Sequence, residues 1–476
     1  MFRFFIIILI FWFLSLDYNN AEVFSSTYHL ELLADREKRA AEVLQKLDNP
    51  DEVITRYLDE YKSVPDSLTA QEIAKNPIHA YFMIKRLNEL SKSENVLNYE
   101  TWKKLEPILN NGTLFPSDWD RNGAEFAIVF LAAVHFLDID DLSRGKIRGQ
   151  ETNLTMEVSD YLRLLRYSIQ VKEYDQAIKW FQLILKDSME TNDRKFVDIM
   201  IFVSSEDFYN SFQLVDEYSH LTDEKRRNQS VTSGQRFIPR CDLTEPLHVS
   251  ADEEKKLICY YSDQGSPWLI LQPAKIEVVH PNATFLIFHD VISDKEIEIL
   301  KELSVAQLER VTVSTRLPMI GKVNRIRKDV RLSEFDHEIV GRLARRMSHI
   351  TGLSLNVTTG DVERLNVFNY GLGGWHEEHY DYRVRPYLRD ASIMFWLSNV
   401  EMGGGTGFPY ANLTLYPRKN SAAFWYNLDD EGKTMIHAFH GACPVLIGNK
   451  WVATFWAKHV GQIFKRKCPL QARRII

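Results

Sequence analysis

The sequence predicts a multidomain protein with an all-α amino-terminal half, followed by a double-stranded β-helix (jelly roll) with flanking helices. Three observations lead to this prediction. The 476 residues are too many for one compact core. Upstream of residue 222, apolar residues recur every three or four positions, as on one face of a helix. From Ile276 onward they alternate in short runs that are typical of half-buried strands.

The first 21 residues are predicted to be a secretory signal peptide. An apolar run from Phe4 to Leu16 follows Arg3 and is short for a membrane span, although an uncleaved signal anchor is the alternative. Entry into the secretory route makes disulfides the default for the four cysteines. It also fits six glycosylation sequons, at Asn111, Asn153, Asn228, Asn282, Asn356 and Asn412. A net charge of −7 argues against general nucleic-acid binding.

Residues 22–150 are predicted to be helical. Leu30, Leu33 and Leu44 belong to an amphipathic stripe, and Asn76-Pro77 begins a further helix from Ile78 to Leu90. Such a stripe does not say whether its own bundle or a second copy of the chain buries it.

Residues 151–222 are predicted to form two helical hairpins, the second around Phe196 to Tyr218. Tyr174, Ala177 and Phe181 have the small-then-aromatic spacing of a tetratricopeptide repeat, in which a small residue lets two helices approach closely. Residues 223–270 are predicted to be a linker, because the stretch from Thr222 to Gly234 is polar and charged; the four cysteines allow three pairings by sequence alone.

The downstream sequence contains the residues that point to chemistry. In an extended chain His379 and Asp381 point the same way and supply half of a metal site. His437 and His440 are the candidates for a third ligand, and in one strand they would face opposite sides. In the next strand Lys450 shares a face with Val452, Thr454 and Trp456. A cation on an apolar inward face predicts a pocket for a carboxylate.

This order of motifs resembles the catalytic domain of collagen prolyl 4-hydroxylase alpha subunits. The resemblance rests on His379-x-Asp381, on His440 within His-Gly-Ala-Cys-Pro-Val, and on Gly-Asn-Lys-Trp around Lys450. Phe424 to Leu428 and Phe408-Pro409 look like the same family. Upstream, Asn76-Pro77 and Lys85 to Asn88 resemble the family's amino-terminal part.

The resemblance implies a role for each of these residues. His379, Asp381 and His440 would bind Fe(II), Lys450 would pair with the far carboxylate of 2-oxoglutarate, and Tyr370 would help to hold that cosubstrate. Trp456 would lie beside the peptide proline. His376 stands where the family commonly has a tyrosine facing that proline, and an imidazole there is expected to be partly charged near neutral pH.

The implied activity is that of a procollagen-proline 4-dioxygenase. It hydroxylates peptidyl proline at the 4-position in collagen-like or other proline-rich secretory proteins, and it couples this to oxidative decarboxylation of 2-oxoglutarate with O₂ and L-ascorbate. The implied setting is the lumen of the endoplasmic reticulum, in an alpha2-beta2 assembly with protein disulfide isomerase. The alternatives are another 2-oxoglutarate dioxygenase, such as a lysyl hydroxylase, and a non-catalytic assembly or chaperone subunit. Lysyl hydroxylases usually bind the cosubstrate with arginine, so Lys450 favours the prolyl class.

The resemblance also assigns the remaining regions. Residues 22–150 would serve in dimerisation, residues 151–222 would bind the peptide substrate, and residues 271–476 would be the catalytic domain. An aromatic groove for a polyproline II peptide could come from Tyr161, Tyr167, Tyr174 and Trp180, although aromatics at helical spacing are more often core. The implied disulfides are Cys241 with Cys259 and Cys443 with Cys468.

Overall fold

The computed structural model describes residues 22–48, 50–92, 99–109, 115–190, 241, 252, 255, 257–281, 283–309, 325–381 and 388–466. They form two compact units: one holds the described residues up to 190, and the other holds nearly all of those from 241 onward. The predicted signal peptide, the second helical hairpin, Cys468 and the sequons at Asn111, Asn228 and Asn282 lie outside the described residues. Across the part of the chain that is described, every helix is too short or too polar to span a bilayer.

The described part of the first unit is helical, as predicted. Its helices are α1 (Thr27–Leu44), α2 (Glu52–Tyr61), α3 (Ala70–Lys75), α4 (Pro77–Lys92), α5 (Tyr99–Leu109), α6 (Asp118–Val134), α7 (Ile139–Ser143), α8 (Val158–Gln170) and α9 (Tyr174–Glu190). Two short strands, β1 (Lys146–Ile147) and β2 (Gln150–Glu151), pair with each other. The sequence sets the helix starts: Ser26 accepts a hydrogen bond from the His29 amide, and Pro77 is the first residue of α4.

Buried ion pairs tie α4 to its neighbours. The Arg86 guanidinium donates two hydrogen bonds of 2.9 Å to the Glu37 carboxylate on α1. The Lys85 amine lies 2.9 Å from the Asp160 carboxylate on α8. Removing one partner of such a pair leaves an uncompensated buried charge, at a cost of about 3–5 kcal/mol. The two charged residues that looked family-like in the sequence therefore hold the helices of this unit together.

The α8–α9 hairpin corrects the proposed aromatic groove. Ala177 is fully buried where the two helices meet, as the repeat spacing predicted. Tyr161 stacks on Trp180 with ring centroids 5.9 Å apart, and Tyr174 is buried with them. Helical spacing puts aromatics on one face, but the neighbouring helix decides whether that face is open. Tyr161, Tyr174 and Trp180 are core side chains, and Tyr167 alone of the four is half-buried.

Antiparallel sheets dominate the second unit. The larger has the strand order β3 (Cys259–Ser262), β4 (Ala274–Val278), β5 (Phe285–His289), β13 (Ala422–Tyr426), β9 (Arg389–Trp396), β16 (Trp451–Lys458), β7 (Leu365–Tyr370) and β6 (Arg327–Leu332). The smaller has the order β12 (Leu413–Leu415), β11 (Thr406–Phe408), β14 (His440–Ala442) and β8 (His376–His379). Strands β10 (Val400–Gly403) and β15 (Val445–Gly448) form a separate pair.

Helices and short turns complete this unit. The helices are α10 (Asp294–Val305), α11 (Glu338–Thr351) and α12 (His459–Gln462), and the 3₁₀ turns are Pro267–Leu269, Pro409–Ala411 and Ile436–Ala438. Ser293 and Glu296 form the predicted capping box at the start of α10.

The two larger sheets share one apolar core. Phe408 of the smaller sheet meets Phe285 and Trp425 of the larger one edge to face, at 4.8 and 5.3 Å between ring centroids. Along β9 and β16, Trp396 and Val452 face this core, whereas Phe395 and Phe455 are buried on the opposite face. Both faces of the central strands are therefore covered, which explains their continuous apolar runs.

The predicted disulfides are wrong. Cys241 is bonded to Cys443, across 202 residues of sequence, and this leaves Cys443 unavailable to Cys468. Cys259 is a free, exposed thiol on the edge strand β3. The family resemblance implied two pairs that are close in sequence, but the fold of this chain brings two distant segments together. The sheet also begins before the expected boundary at residue 271, since β3 belongs to it.

Candidate active site

Three potential metal ligands converge between β8 and β14. His379 and His440 lie directly opposite each other in the strand register, with ring centroids 4.5 Å apart. Asp381 follows β8 by two residues, and its carboxylate lies 3.6 Å from Nε2 of His379 and 3.9 Å from Nε2 of His440. One ligand atom from each residue lies within 4.8 Å of the others, which suits a single metal ion.

Backbone carbonyls orient both imidazoles. Nδ1 of His379 lies 2.7 Å from the Glu377 oxygen, and Nδ1 of His440 lies 2.8 Å from the Ala438 oxygen. A carbonyl only accepts, so each Nδ1 carries the proton and each Nε2 keeps its lone pair toward Asp381. Burial, assisted by the neighbouring His379, lowers the pKa of His440 to about 4. The neutral ring is the form that binds a metal.

Hydrogen bonds fix the carboxylate as well. The Ser392 hydroxyl donates a 2.6 Å hydrogen bond to Oδ2 of Asp381, and Nδ2 of Asn427 donates a 2.9 Å bond to that hydroxyl. Burial acts to raise the pKa of Asp381, but its interactions with His379 and His440 outweigh burial and lower that pKa. Asp381 is therefore an anion held in one orientation.

His437 lies away from this cluster. It belongs to the 3₁₀ turn Ile436–Ala438, is exposed, and places Nδ1 2.8 Å from the Tyr410 oxygen. The expectation that His437 and His440 share a strand is wrong, because the turn ends before β14 begins at His440. The separation of the two rings comes from this turn rather than from strand alternation.

The amine of Lys450 is buried, and no side chain or carbonyl in the described part of the chain hydrogen-bonds to it. The residue as a whole is 1% exposed. The amine lies 4.6 Å from the ring centroid of Tyr370. Burial, together with the positive charge of Arg327, lowers the pKa of Lys450 to about 7. An amine in this position requires an anion that the described residues do not provide.

A cavity of about 270 Å³ adjoins the cluster. The ligand triad, Tyr370, His376, Val452, Thr454 and Trp456 line it, together with residues of β6, β7 and β9. The predicted inward face of β16 thus borders this cavity. Lys450 is not part of the lining and lies buried beside Tyr370.

His376 lies next to the triad, with its ring 4.0 Å from that of His379. Burial, followed by the nearby His379 and Arg327, lowers the pKa of His376 well below its usual value. The expected partial charge near neutral pH is therefore wrong. Trp456 packs under the guanidinium of Arg389, which lies 3.7 Å from its ring centroid.

Several residues of the site were not predicted from the sequence. Arg389 of β9 lines the cavity, and Ser392 of the same strand donates a hydrogen bond to Asp381. Along β6 and just before it, charged residues line the cavity at every second position: Arg325, Arg327, Asp329 and Arg331. This alternation is visible in the sequence and could have revealed a charged inward face. The Arg327 guanidinium donates to the Tyr370 hydroxyl at 3.3 Å and pairs with Asp329 at 3.0 Å.

The fold and the site define this chain as a 2-oxoglutarate and Fe(II)-dependent oxygenase. The model of the 2OG-Fe(II) oxygenase superfamily matches residues 365–458, which contain the whole triad and Lys450. The model of the prolyl 4-hydroxylase alpha-subunit amino-terminal region matches residues 26–149.

Sequence similarity to individual proteins identifies the family within this class of oxygenases. Prolyl 4-hydroxylase subunit alpha-1 of Homo sapiens is 30% identical over 460 residues, which cover 83% of this chain and 84% of that protein. Subunit alpha-2 of Gallus gallus is 28% identical over 517 residues, which cover 94% of this chain and 95% of that protein. The crystal structure of a viral collagen prolyl hydroxylase from Paramecium Bursaria Chlorella virus-1 is similar at 22% identity, with 36% of this chain and 94% of that chain covered and a TM-score of 0.30. The chain belongs to the family of prolyl 4-hydroxylase alpha subunits.

Proposed function

We propose that this chain is the catalytic alpha subunit of a prolyl 4-hydroxylase. It hydroxylates peptidyl proline at the 4-position in collagen-like or other proline-rich secretory proteins, coupled to oxidative decarboxylation of 2-oxoglutarate. The observation that carries the proposal is the convergence of His379, Asp381 and His440 on one cavity. Membership of the alpha-subunit family supports it.

The donor set fits Fe(II). Two imidazole Nε2 atoms and one carboxylate form a three-ligand face that leaves positions open for a cosubstrate and O₂. When bound, Fe(II) together with 2-oxoglutarate and O₂ supplies the oxidising chemistry, and L-ascorbate would keep the metal reduced. The protein's part is to hold the ligands, and the carbonyls at Nδ1 and the Ser392 hydroxyl do so.

Lys450 and Tyr370 would hold the cosubstrate. A buried amine without a partner gains most from an anionic ligand, and a dicarboxylate that reaches toward Tyr370 would supply one. The apolar walls of the cavity, from Phe368, Met394 and Trp425, would exclude water from the reacting atoms. Trp456 and His376 would border the peptide proline. These assignments rest on burial, on distance and on the family resemblance.

The wider assignments extend the same proposal. The two facing sheets would be a double-stranded β-helix, and the α8–α9 hairpin would belong to a tetratricopeptide-like peptide-binding domain in which Tyr167 is the accessible aromatic. Residues 22–150 would mediate dimerisation. Protein disulfide isomerase would be the beta subunit of an alpha2-beta2 assembly in the endoplasmic reticulum lumen. The asparagines of three sequons, Asn153, Asn356 and Asn412, are exposed and would be accessible to glycosylation in that compartment.

The test is co-expression of the full chain with protein disulfide isomerase. A proline-rich repeat peptide should then stimulate CO₂ release from 2-oxoglutarate and gain 4-hydroxyproline. His440→Ala should abolish both signals, and His437→Ala is the matched control that should retain them. A repeat peptide that contains lysine tests the lysyl alternative, which hydroxylysine without hydroxyproline would support. Folded, iron-loaded protein without turnover would support the non-catalytic one.

A further inference from the structure

The charges along one wall of the cavity are unequal. On its cavity-facing positions β6 and the residues just before it carry three arginines, Arg325, Arg327 and Arg331, and one acid, Asp329. On β9, Arg389 adds a fourth arginine and makes a two-bond pair with Glu363 at 2.6 and 2.8 Å. Asp381 faces the metal position. The four arginines outnumber the three acids Asp329, Glu363 and Asp381, so this wall has a net positive charge.

Arg327 and Arg331 differ in their partners. Arg327 is 8% exposed and pairs with Asp329 at 3.0 Å. Arg331 is exposed, lines the cavity, and has no ion-pair partner within the described ranges. Arg331 is therefore the cation on this wall that is available to a ligand.

Strand register separates the two ends of the wall. Arg327 lies opposite Tyr370, which itself neighbours the buried Lys450. Arg331 lies opposite Asn366, and Asn366 lies opposite Thr454, two residues before Trp456. The Tyr370 end has its own buried cation for the cosubstrate. The Arg331 end lies toward Trp456, which lines the same cavity and which the proposed function places beside the peptide.

We propose that Arg331 selects peptides with an acidic residue close to the target proline, which makes acidic proline-containing segments the preferred substrate class. The inference rests on the proposed function, because it names the substrate of that site. Arg327 contacts His376, which the proposed function places beside the proline, and Arg331 lies four positions further along β6, about 13 Å away. A polyproline II peptide covers that distance in about four residues. The glutamate or aspartate is therefore expected within about four positions of the proline.

The test uses the full chain with its beta subunit and a series of proline-rich peptides. Each peptide carries one Glu, Gln or Lys at successive positions on either side of the target proline. The kcat/KM for the best Glu peptide should exceed that of its Gln counterpart by about two- to fivefold, the size of an exposed ion pair. Arg331→Glu should shift the preference to the Lys peptide. Arg345→Glu, on the exposed side of α11, should leave the preference as in the wild type.

A second measurement separates this inference from the proposed function. Fluorescence anisotropy reports peptide binding without turnover, so the Glu peptide should bind more tightly than the Gln peptide even in an inactive preparation. Hydroxylation of Glu and Gln peptides at equal kcat/KM would overturn the inference and leave the proposed function intact. If no peptide is hydroxylated, the proposed function fails. If, in addition, the Glu and Gln peptides bind with equal affinity, the inference is overturned as well. An Arg331→Glu effect confined to the KM for 2-oxoglutarate would assign the wall to the cosubstrate and also overturn it.

Discussion

The Ser392 hydroxyl donates a 2.6 Å hydrogen bond to the Asp381 carboxylate, and the two residues lie in different segments of the catalytic unit. Asn427 extends the chain by donating to Ser392 at 2.9 Å. A carboxylate that ligates a metal must keep one orientation, and here a neighbouring strand enforces it. Iron binding should therefore depend on a residue that is not itself a ligand.

Ser392→Ala should weaken Fe(II) binding by about 10–100-fold, the range found when the hydrogen-bonding partner of a metal ligand is lost. Fe(II) titration of the purified protein measures this, and turnover at saturating iron should be less affected. Ser392→Thr, which restores the hydroxyl, should recover most of the affinity. Ser304→Ala removes an equally buried hydroxyl from α10 and should have no effect. Equal affinity in wild type and Ser392→Ala would show that Asp381 needs no such support.

Lys450→Met should raise the KM for 2-oxoglutarate by about 10–100-fold. The variant removes a charge-assisted contact worth about 1.5–3 kcal/mol while keeping most of the buried volume. Steady-state kinetics with varied 2-oxoglutarate measure the effect, and the KM for peptide should change little. Lys458→Met is the control, since Lys458 is a half-buried lysine at the end of the same strand. An unchanged KM for 2-oxoglutarate in Lys450→Met would refute the role of the amine.

The same lysine should make stability depend on pH. The pKa of Lys450 is lowered from 10.5 in the unfolded chain to about 7 in the folded protein, mainly because burial disfavours the charged amine. Between these values the unfolded state binds more protons, so the free energy of unfolding rises with pH from about 7 to about 10.5, by at most about 1.4 kcal/mol per pH unit. Below about pH 7 both states are protonated and the cost of burying the charge is fully present.

Lys450→Met abolishes this linkage. In the absence of 2-oxoglutarate, we expect Lys450→Met to unfold at a higher denaturant concentration than the wild type. This difference in denaturant midpoint should be larger at pH 6.5 than at pH 9. The comparison cancels all other titrating groups, because both proteins share them. A constant difference across this range would show that the amine is not desolvated in the folded protein.

Spacing and residue type predicted the ligand pair His379 and Asp381 locally, and the family resemblance supplied the third ligand, His440. His379 and Asp381 are two positions apart, and His440 and Lys450 follow in a recognisable order. The expectation that His437 and His440 share a strand was wrong, since a 3₁₀ turn separates them. The family resemblance, not strand alternation, selected His440. Ser392 could not be found, because its significance depends on which strand lies beside Asp381. That is a property of sheet order, and no local pattern encodes it.

The disulfide shows the same limit. Cys241 and Cys443 are 202 residues apart, so no rule based on nearness in sequence would join them. The predicted aromatic groove in the amino-terminal half was wrong for a related reason. Tyr161 lies on α8 and Trp180 on α9, and their mutual packing closes the groove that the aromatic spacing suggested. Periodicity predicts which residues share a face of one helix or strand, but it does not predict what packs against that face.

Cys443→Ser should destabilise the catalytic unit by about 2–4 kcal/mol, because the cross-link that restricts the unfolded chain is lost. Cys241→Ser should do the same, and the double variant should be no worse than either single one. Cys259→Ser is the matched control, because this exposed thiol is free. Denaturant unfolding measures stability, and non-reducing peptide mapping should recover the Cys241–Cys443 pair. A recovered Cys241–Cys259 peptide would contradict this connectivity.

His376→Tyr should improve kcat/KM on simple proline-rich peptides by about 1 kcal/mol, which is several-fold. His376 lines the cavity, and a phenol offers a proline a larger apolar face than an imidazole does. The ring is neutral in the folded protein because burial lowers its pKa, so the gain should be the same at pH 6.5 and pH 8. His289→Tyr, at the end of β5 and outside the cavity lining, is the control that should leave kcat/KM unchanged. A His376→Tyr enzyme with wild-type kcat/KM would place the peptide proline away from this ring and leave Trp456 as its aromatic contact.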